Sequence, residues 1–217
     1  MTEGPGCDCG CPNVFSSKQA EGDLKRYRSK GPDASTRALI RAILDEGVRG
    51  ATLLDIGGGI GAIPLELLAE GLAHAESVDA TEPYVRTALE EAARRGFGDR
   101  VSSHLGDFVQ LASEIPAADF VTLDKVVCCY RDMPALLARA ADRAQRAIGL
   151  VYPRDTWWNR IAARGIALWG WISRDPTRWH LHSVADIDAV LARAGFERHD
   201  VKRELIIAQL RYTEVAK

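Results

Sequence analysis

From residue 52 onward, short apolar runs alternate with segments whose apolar positions recur every three or four residues. The runs "TLLDIG" (52–57), "ESVDA" (76–80), "VSSHLGD" (101–107), "FVTLDKVVCCY" (120–130) and "AIGLVYP" (147–153) read as strands. The helix-period segments are "AIPLELLAEG", "PYVRTALEEAARRG" and "ALLARAADRAQR", with Pro64 tolerable only in a first turn. Runs apolar on both sides, separated by helices, belong to a parallel sheet covered on two faces, so the fold class is α/β and doubly wound. Upstream, "SSKQAEGDLKRYRSKGPD" predicts a polar helix capped near Ser17, and Ser35 opens the amphipathic "STRALIRAILDEG". Downstream, "SVADIDAVLARAGF" predicts a helix capped by Ser183 and closed by Gly195. "ERHDVKRELIIAQLRYTE" then reads as two strands able to form an antiparallel hairpin. Two stretches fit neither period: residues 1–13, and residues 154–179, which hold all five tryptophans. The organisation read from this is an N-terminal arm or lid over 1–34 and one domain over 35–217, with an insertion at about 154–182.

A chain of 217 residues with 47% hydrophobic side chains has the size for one large core. Its net charge of −2 exerts no overall pull on nucleic acid or an anionic membrane, which favours small-molecule chemistry. No apolar run approaches the roughly 20 residues of a bilayer span, and "MTEGPGCDCGCPN" lacks the basic flank and apolar stretch of a secretory signal. A cytoplasmic protein is therefore expected. The odd set Cys7, Cys9, Cys11, Cys128 and Cys129 does not look like a disulfide framework.

Chemistry concentrates where the first run meets its helix, "LLDIGGGIGAIPLEL". Gly57, Gly59 and Ala62 satisfy the dinucleotide pattern G-x-G-x-x-G/A, while Asp55, Gly57, Gly59 and Gly61 satisfy D-x-G-x-G-x-G. The glycines suit either ligand, because both need a tight strand-to-helix turn with bare backbone. Asp55 separates them: its carboxylate would repel a pyrophosphate but attract the α-ammonium of S-adenosyl-L-methionine (SAM). Asp107-Phe108 after the third run offers an acceptor for an adenine amino group beside an aromatic face. Asp79, with Ala80 next to it, ends the second run where a carboxylate can take ribose hydroxyls.

The set "LLDIGGGIG", "ESVDAT" and "LGDF", in that order and at those intervals, resembles the class I SAM-dependent methyltransferases over roughly residues 35–215. The resemblance implies a Rossmann-like, seven-stranded, mostly parallel sheet with an antiparallel last strand. It implies that Asp55, Gly57 and Gly59 meet the methionine part, that Asp79 binds ribose, and that Asp107 and Phe108 bind adenine. Ile56 and Gly58 stand where that family often carries Gly or Cys.

The acceptor is less legible, because function is grafted onto a fold. "LDKVVCCYRD" places Lys125, Cys128, Cys129 and Tyr130 toward the ligand edge of the sheet, either lining a pocket or, for the thiols, as small apolar filling. Trp157 and Trp158 of the insertion can roof a flat apolar substrate or serve as core. The arm with "L-x-x-Y" and a following "YPR" is distantly similar to the magnesium-protoporphyrin O-methyltransferases, which aligns Tyr27 with an acceptor-side arm residue. A cysteine stands where that group has a strand-four histidine. His180 and His182 share one face if extended and, with Tyr130 and Tyr27, are the catalytic candidates; Asp155 is a weaker base. The expected reaction is O- or N-methylation of a small, flat apolar molecule. Methylation of a thiol or of a metalloid held by the C-x-C-x-C arm, or a metal-responsive module on the same fold, are the alternatives. No resident metal, nucleic-acid partner or membrane association is expected, and the oligomeric state is open.

Overall fold

The computed structural model describes residues 16–153, 180–203 and 207–214. Helix α1 (Ser17–Lys30) and helix α2 (Ala34–Leu44) precede β1 (Thr52–Ile56), α3 (Ala62–Ala69), β2 (His74–Asp79) and α4 (Glu82–Arg94). Next come β3 (Val101–Leu105), the one-turn α5 (Phe108–Leu111), β4 (Ala118–Asp124), α6 (Met133–Arg143) and β5 (Ala144–Pro153). Helix α7 (Val184–Arg193) leads into β6 (Phe196–Arg203) and β7 (Ile207–Glu214). The strands lie in the order β3-β2-β1-β4-β5-β7-β6. The first five are parallel; β7 runs antiparallel to both β5 and β6. A doubly wound α/β sheet is thus as the apolar periods predict.

Strand β1 shows why both faces bury. Leu54 and Ile56 join Val121, Leu123, Ile148 and Leu150 under α6 and α7. Leu53, one residue out of phase, packs with Phe120 and Val151 under α2 and α3. The α2 contact needs a bare backbone at Gly149, since a Cβ there would lie 2.4 Å from Leu39 Cδ1.

Several boundaries move from their sequence-derived places. Asp33, not Ser35, caps α2: its Oδ1 accepts from the Ser35 and Thr36 amides. The cap of α1 is Ser16 rather than Ser17. Ser183 caps α7 by accepting from Asp186 N, and Gly195 follows at φ +90°. The fourth strand does not run to Tyr130. It stops at Asp124 because Lys125 adopts a left-handed φ of +64°, and Val127–Cys129 wind into a 3-10 turn. The tryptophans of 154–179 and the cysteines of the arm lie outside the described residues. Among the described residues, no helix is long and apolar enough to cross a membrane.

Helix α1 packs on α4 rather than standing apart. Buried Glu91 of α4 receives Arg28 from α1 and Arg94 from its own helix, and these guanidiniums hold its carboxyl at about 2. Tyr84 on α4 donates to Asp23 on α1.

Candidate active site

The strand order reverses direction between β1 and β4, the place where open α/β sheets bind ligands beyond their carboxyl ends. The glycine loop and the acidic strand ends lie at that edge.

Residues 57–61 turn β1 into α3, with Gly57, Gly59 and Gly61 all at positive φ. At Gly57 the reason is also steric: a Cβ would sit 2.2 Å from Val126 Cγ2, so the turn after β4 presses directly on the loop. At Gly58 a Cβ would lie 2.4 Å from Ser77 Oγ and 2.9 Å from Asp55 Oδ2. The Gly57 amide donates to the Val78 carbonyl, while Gly59 N–H donates to Asp79 Oδ2 at 3.0 Å.

Beneath this loop, β1, β2 and β4 present Asp55, Ser77 and Thr122 side by side in register. All three are buried, and Thr122 Oγ1 donates to Asp55 Oδ1 at 2.6 Å. Burial lifts the Asp55 pKa to about 7; the Thr122 hydrogen bond opposes this, and the carboxylates of Asp124 and Asp79 reinforce it. A cationic group arriving above the loop therefore meets an acid that ionises readily in its presence.

Asp79 ends β2. Its Oδ1 accepts from Thr81 N and Oγ1, and its Oδ2 from Gly59 N. Burial raises its pKa, and those same hydrogen bonds hold the rise in check. A carboxylate has about four acceptor positions, so three internal donors leave it room for a ligand hydroxyl. Ala80 is half-buried beside it. Asp107 caps α5, where Oδ1 accepts from Val109 N at 3.0 Å and from Tyr130 Oη at 2.5 Å. Its Oδ2 is buried with no hydrogen-bond partner. The Phe108 ring is buried in the core under α6, which leaves the Asp107 oxygen as the polar feature of that pair.

The turn after β4 gathers most of the acceptor-side candidates. Lys125 Nζ bonds Asp33 Oδ2 at 2.9 Å and Thr36 Oγ1 at 3.2 Å, and pairs with Asp124. Burial would lower its pKa, but the Asp124 and Asp33 carboxylates outweigh this and raise it, so it stays charged. Cys128 Sγ points to the Lys125 carbonyl at 3.4 Å. The hydrogen bond with Cys128 and then burial push the Cys129 thiol above its ordinary range, which favours the neutral thiol. Among the described residues no cluster of His, Cys, Asp and Glu is arranged to hold a metal.

The two histidines dock on the same turn. His180 N donates to the Cys128 carbonyl, and His182 Nε2 lies 2.8 Å from the Tyr130 carbonyl. Their rings stack, with centroids 6.2 Å apart. Because a carbonyl only accepts, His182 carries its proton on Nε2 when neutral, and Nδ1 is then the basic nitrogen. Tyr27 is not gathered with this group. Its hydroxyl donates to Glu66, receives Arg95, and packs with Leu65 and Ala92 between α1, α3 and α4. Burial and Glu66 raise its pKa, so the structure places it as a docking residue of α1. Trp157 and Trp158 lie outside the described residues. Sequence reasoning missed Val126 on Gly57, the Ser77–Asp55–Thr122 row and the phenol on Asp107; only strand register, which brings distant positions together, carries those signals.

These residues suit SAM on their own chemistry: an orphaned oxygen at Asp107 for an amino donor, a glycine loop that any side chain would fill, and an acid under it for an ammonium. Over 124 residues the chain is 38% identical to nocamycin O-methyltransferase of Saccharothrix syringae, spanning 54% of this chain and 44% of that protein. It thus covers less than half of that relative's length. Among solved structures it is similar to a magnesium protoporphyrin IX methyltransferase of Synechocystis PCC 6803 with SAH bound, at TM-score 0.71 and 18% identity, covering 94% of this chain and 98% of that one. Human N-acetylserotonin methyltransferase in complex with SAM gives TM-score 0.65 and 18% identity, over 93% of this chain and 57% of that one. At these identities the two structures speak for the fold. The pattern of the methyltransferase domain family matches residues 26–201, and the chain belongs to that family.

Proposed function

We propose that this chain transfers a methyl group from SAM to an oxygen or nitrogen of a small, flat, largely apolar molecule. The observation that carries the reading is the set of three acidic side chains, Asp55, Asp79 and Asp107, around the glycine loop at the carboxyl ends of β1, β2 and β3, with Asp107 Oδ2 buried and unpaired. When bound, SAM supplies an electrophilic methyl on a sulfonium. Asp55 favours the ammonium end, the Gly57, Gly59 and Gly61 backbone gives close approach, Asp79 takes a ribose hydroxyl, and Asp107, flanked by Phe108, takes the adenine amino group. Methyl transfer is an in-line displacement, so what remains for the protein is to align and dehydrate the acceptor. The turn Lys125–Tyr130 and the His180–His182 stretch form the surface for that task, and His182 Nδ1 is positioned to take a proton from a hydroxyl or ammonium acceptor.

Two features favour an oxygen or nitrogen acceptor over a cysteine-held metalloid. The Cys129 thiol is held neutral, and the curated relative above is named as an O-methyltransferase. The test is incubation with methyl-labelled SAM and a small-molecule extract, followed by mass spectrometry. A labelled small product that disappears in Asp107→Ala supports the reading, and calorimetry showing no saturable SAM or SAH binding overturns it. His182→Ala is expected to lower the rate by roughly 10²- to 10⁴-fold, with a far smaller change in SAM affinity.

A further inference from the structure

The phenol of Tyr130 reaches Asp107 across a wide gap. Asp107 follows β3 and Tyr130 follows β4, and in the sheet two strands, β2 and β1, lie between them. The two residues are 23 positions apart in sequence, yet Tyr130 Oη and Asp107 Oδ1 are 2.5 Å apart. Oδ1 also accepts from Val109 N at 3.0 Å, and Asp107 is the cap that starts α5. An ionised carboxylate cannot donate, so both contacts place a donor hydrogen on the same oxygen. The carboxylate plane is thereby fixed, and Oδ2 is left buried with no partner of its own. An unpaired buried carboxylate oxygen is costly unless a ligand donor completes it.

We infer that Tyr130 is a positioning residue for the purine: its phenol pins Asp107 Oδ1 so that the unpartnered Oδ2 is the acceptor left for a ligand, and the site thereby demands an amino group, not an oxo group, at purine position 6. This rests on the reading of the cleft as a SAM site. It assigns Tyr130 to nucleobase selection, although its chain position belongs to the acceptor-side turn. The same geometry makes a second demand. In Asp107→Asn, Val109 N–H still requires an oxygen at the inner position, and Tyr130 O–H, donating to the same atom, reinforces that orientation. The amide must then put its NH₂ at the Oδ2 position, where it suits a 6-oxo purine and opposes a 6-amino one.

The experiment is calorimetric binding of SAH and of S-inosyl-L-homocysteine, its 6-oxo counterpart, to the wild-type chain, Tyr130→Phe, Asp107→Asn and the double variant. Unliganded thermal melting serves as the check that each folds. The wild type is expected to prefer SAH by roughly 10- to 100-fold, the cost of facing a buried acceptor with another acceptor. Tyr130→Phe should cut that preference by about five-fold or more through loss of the hydrogen bond to an ionised group. Asp107→Asn should reverse the preference toward the inosyl compound, and adding Tyr130→Phe should weaken the reversal. A preference unchanged in Tyr130→Phe and a reversal unaffected by it overturn the assignment while leaving Asp107 as the purine acceptor. A wild type that binds both compounds equally removes Asp107 from purine reading, and one that binds neither removes the SAM site itself. Each of these also overturns the role of Tyr130.

Discussion

Gly57→Ala isolates the contact between the glycine loop and the turn after β4. Two separate costs apply. A left-handed φ of +67° is strained for alanine by about 1–2 kcal/mol. The new methyl would also start 2.2 Å from Val126 Cγ2, and relieving such overpacking typically costs about 1–3 kcal/mol. The sum, about 2–5 kcal/mol, corresponds to a melting temperature lower by roughly 5–20 °C for a chain of this size. Gly59→Ala is the internal control: its φ is +54° but its nearest neighbours are Tyr84 ring atoms at 3.8 and 3.9 Å, so only the backbone strain applies. The decisive measurement is a urea-denaturation cycle with Val126→Ala. Truncating Val126 removes the colliding methyl, so Gly57→Ala should cost less in that background by about 1–3 kcal/mol. Strict additivity, with Gly57→Ala no worse than Gly59→Ala, would refute the claim that Val126 bears on the loop.

Asp55 has a pKa raised by burial to about 7, against an ordinary value near 4, so the folded chain binds more protons than the unfolded one between those limits. Its contribution is fully present below about pH 4 and is lost as pH rises through about 7, with roughly 4 kcal/mol as the upper bound. Asp55→Asn should therefore be relatively more stable at pH 8 than at pH 5 by urea denaturation while binding SAM more weakly; an unchanged pH slope would rule this out. Thr122→Val leaves the Asp55 oxygen without its donor and should cost about 1–3 kcal/mol at pH 8, and less at pH 5 where the acid is neutral. In a chain with Cys7, Cys9 and Cys11 replaced by serine, Cys128 and Cys129 should react with iodoacetamide at pH 8 at least about ten-fold more slowly than after unfolding, since neither burial nor the raised thiol pKa favours thiolate. Equal rates would overturn that. Arg28→Ala should release helix α1 locally, seen as faster amide exchange over 17–30 with the exchange of β1 and β4 unchanged; uniform protection would show the Glu91 pair to be incidental.

Period alone sufficed for the alternation of strands and helices, because a sheet covered on both faces needs apolar side chains at nearly every strand position. Period could not say where "FVTLDKVVCCY" stops being a strand. Val126 to Cys129 are as apolar as the strand before them, and what breaks the run is the backbone of Lys125, a residue whose type does not advertise φ > 0. The positions of the glycine loop, Asp79 and Asp107 at the strand ends were legible because a tight strand-to-helix turn selects glycine and the strand periods locate those ends. Tyr27 was less legible: an aromatic in an arm suits a lid and a docked helix equally, and its contacts with Glu66 of α3 and with Arg95 at the end of α4 come from distant positions. Ser35 likewise looked like a cap, but the neighbouring Asp33 takes the Ser35 and Thr36 amides and, through Lys125, ties helix α2 to the end of β4.

The 3-10 turn Val127–Cys129 has a thermodynamic consequence. It is held on one side by His180 and His182 and on the other, through Tyr130, by Asp107. The 180–182 stretch and the Asp107 carboxylate are thus joined through one turn and one phenol, and any coupling between two sites so joined runs equally in both directions. On the function proposed above, an acceptor docked on that turn and a nucleoside held at Asp107 would each change the other's affinity by the same factor without touching.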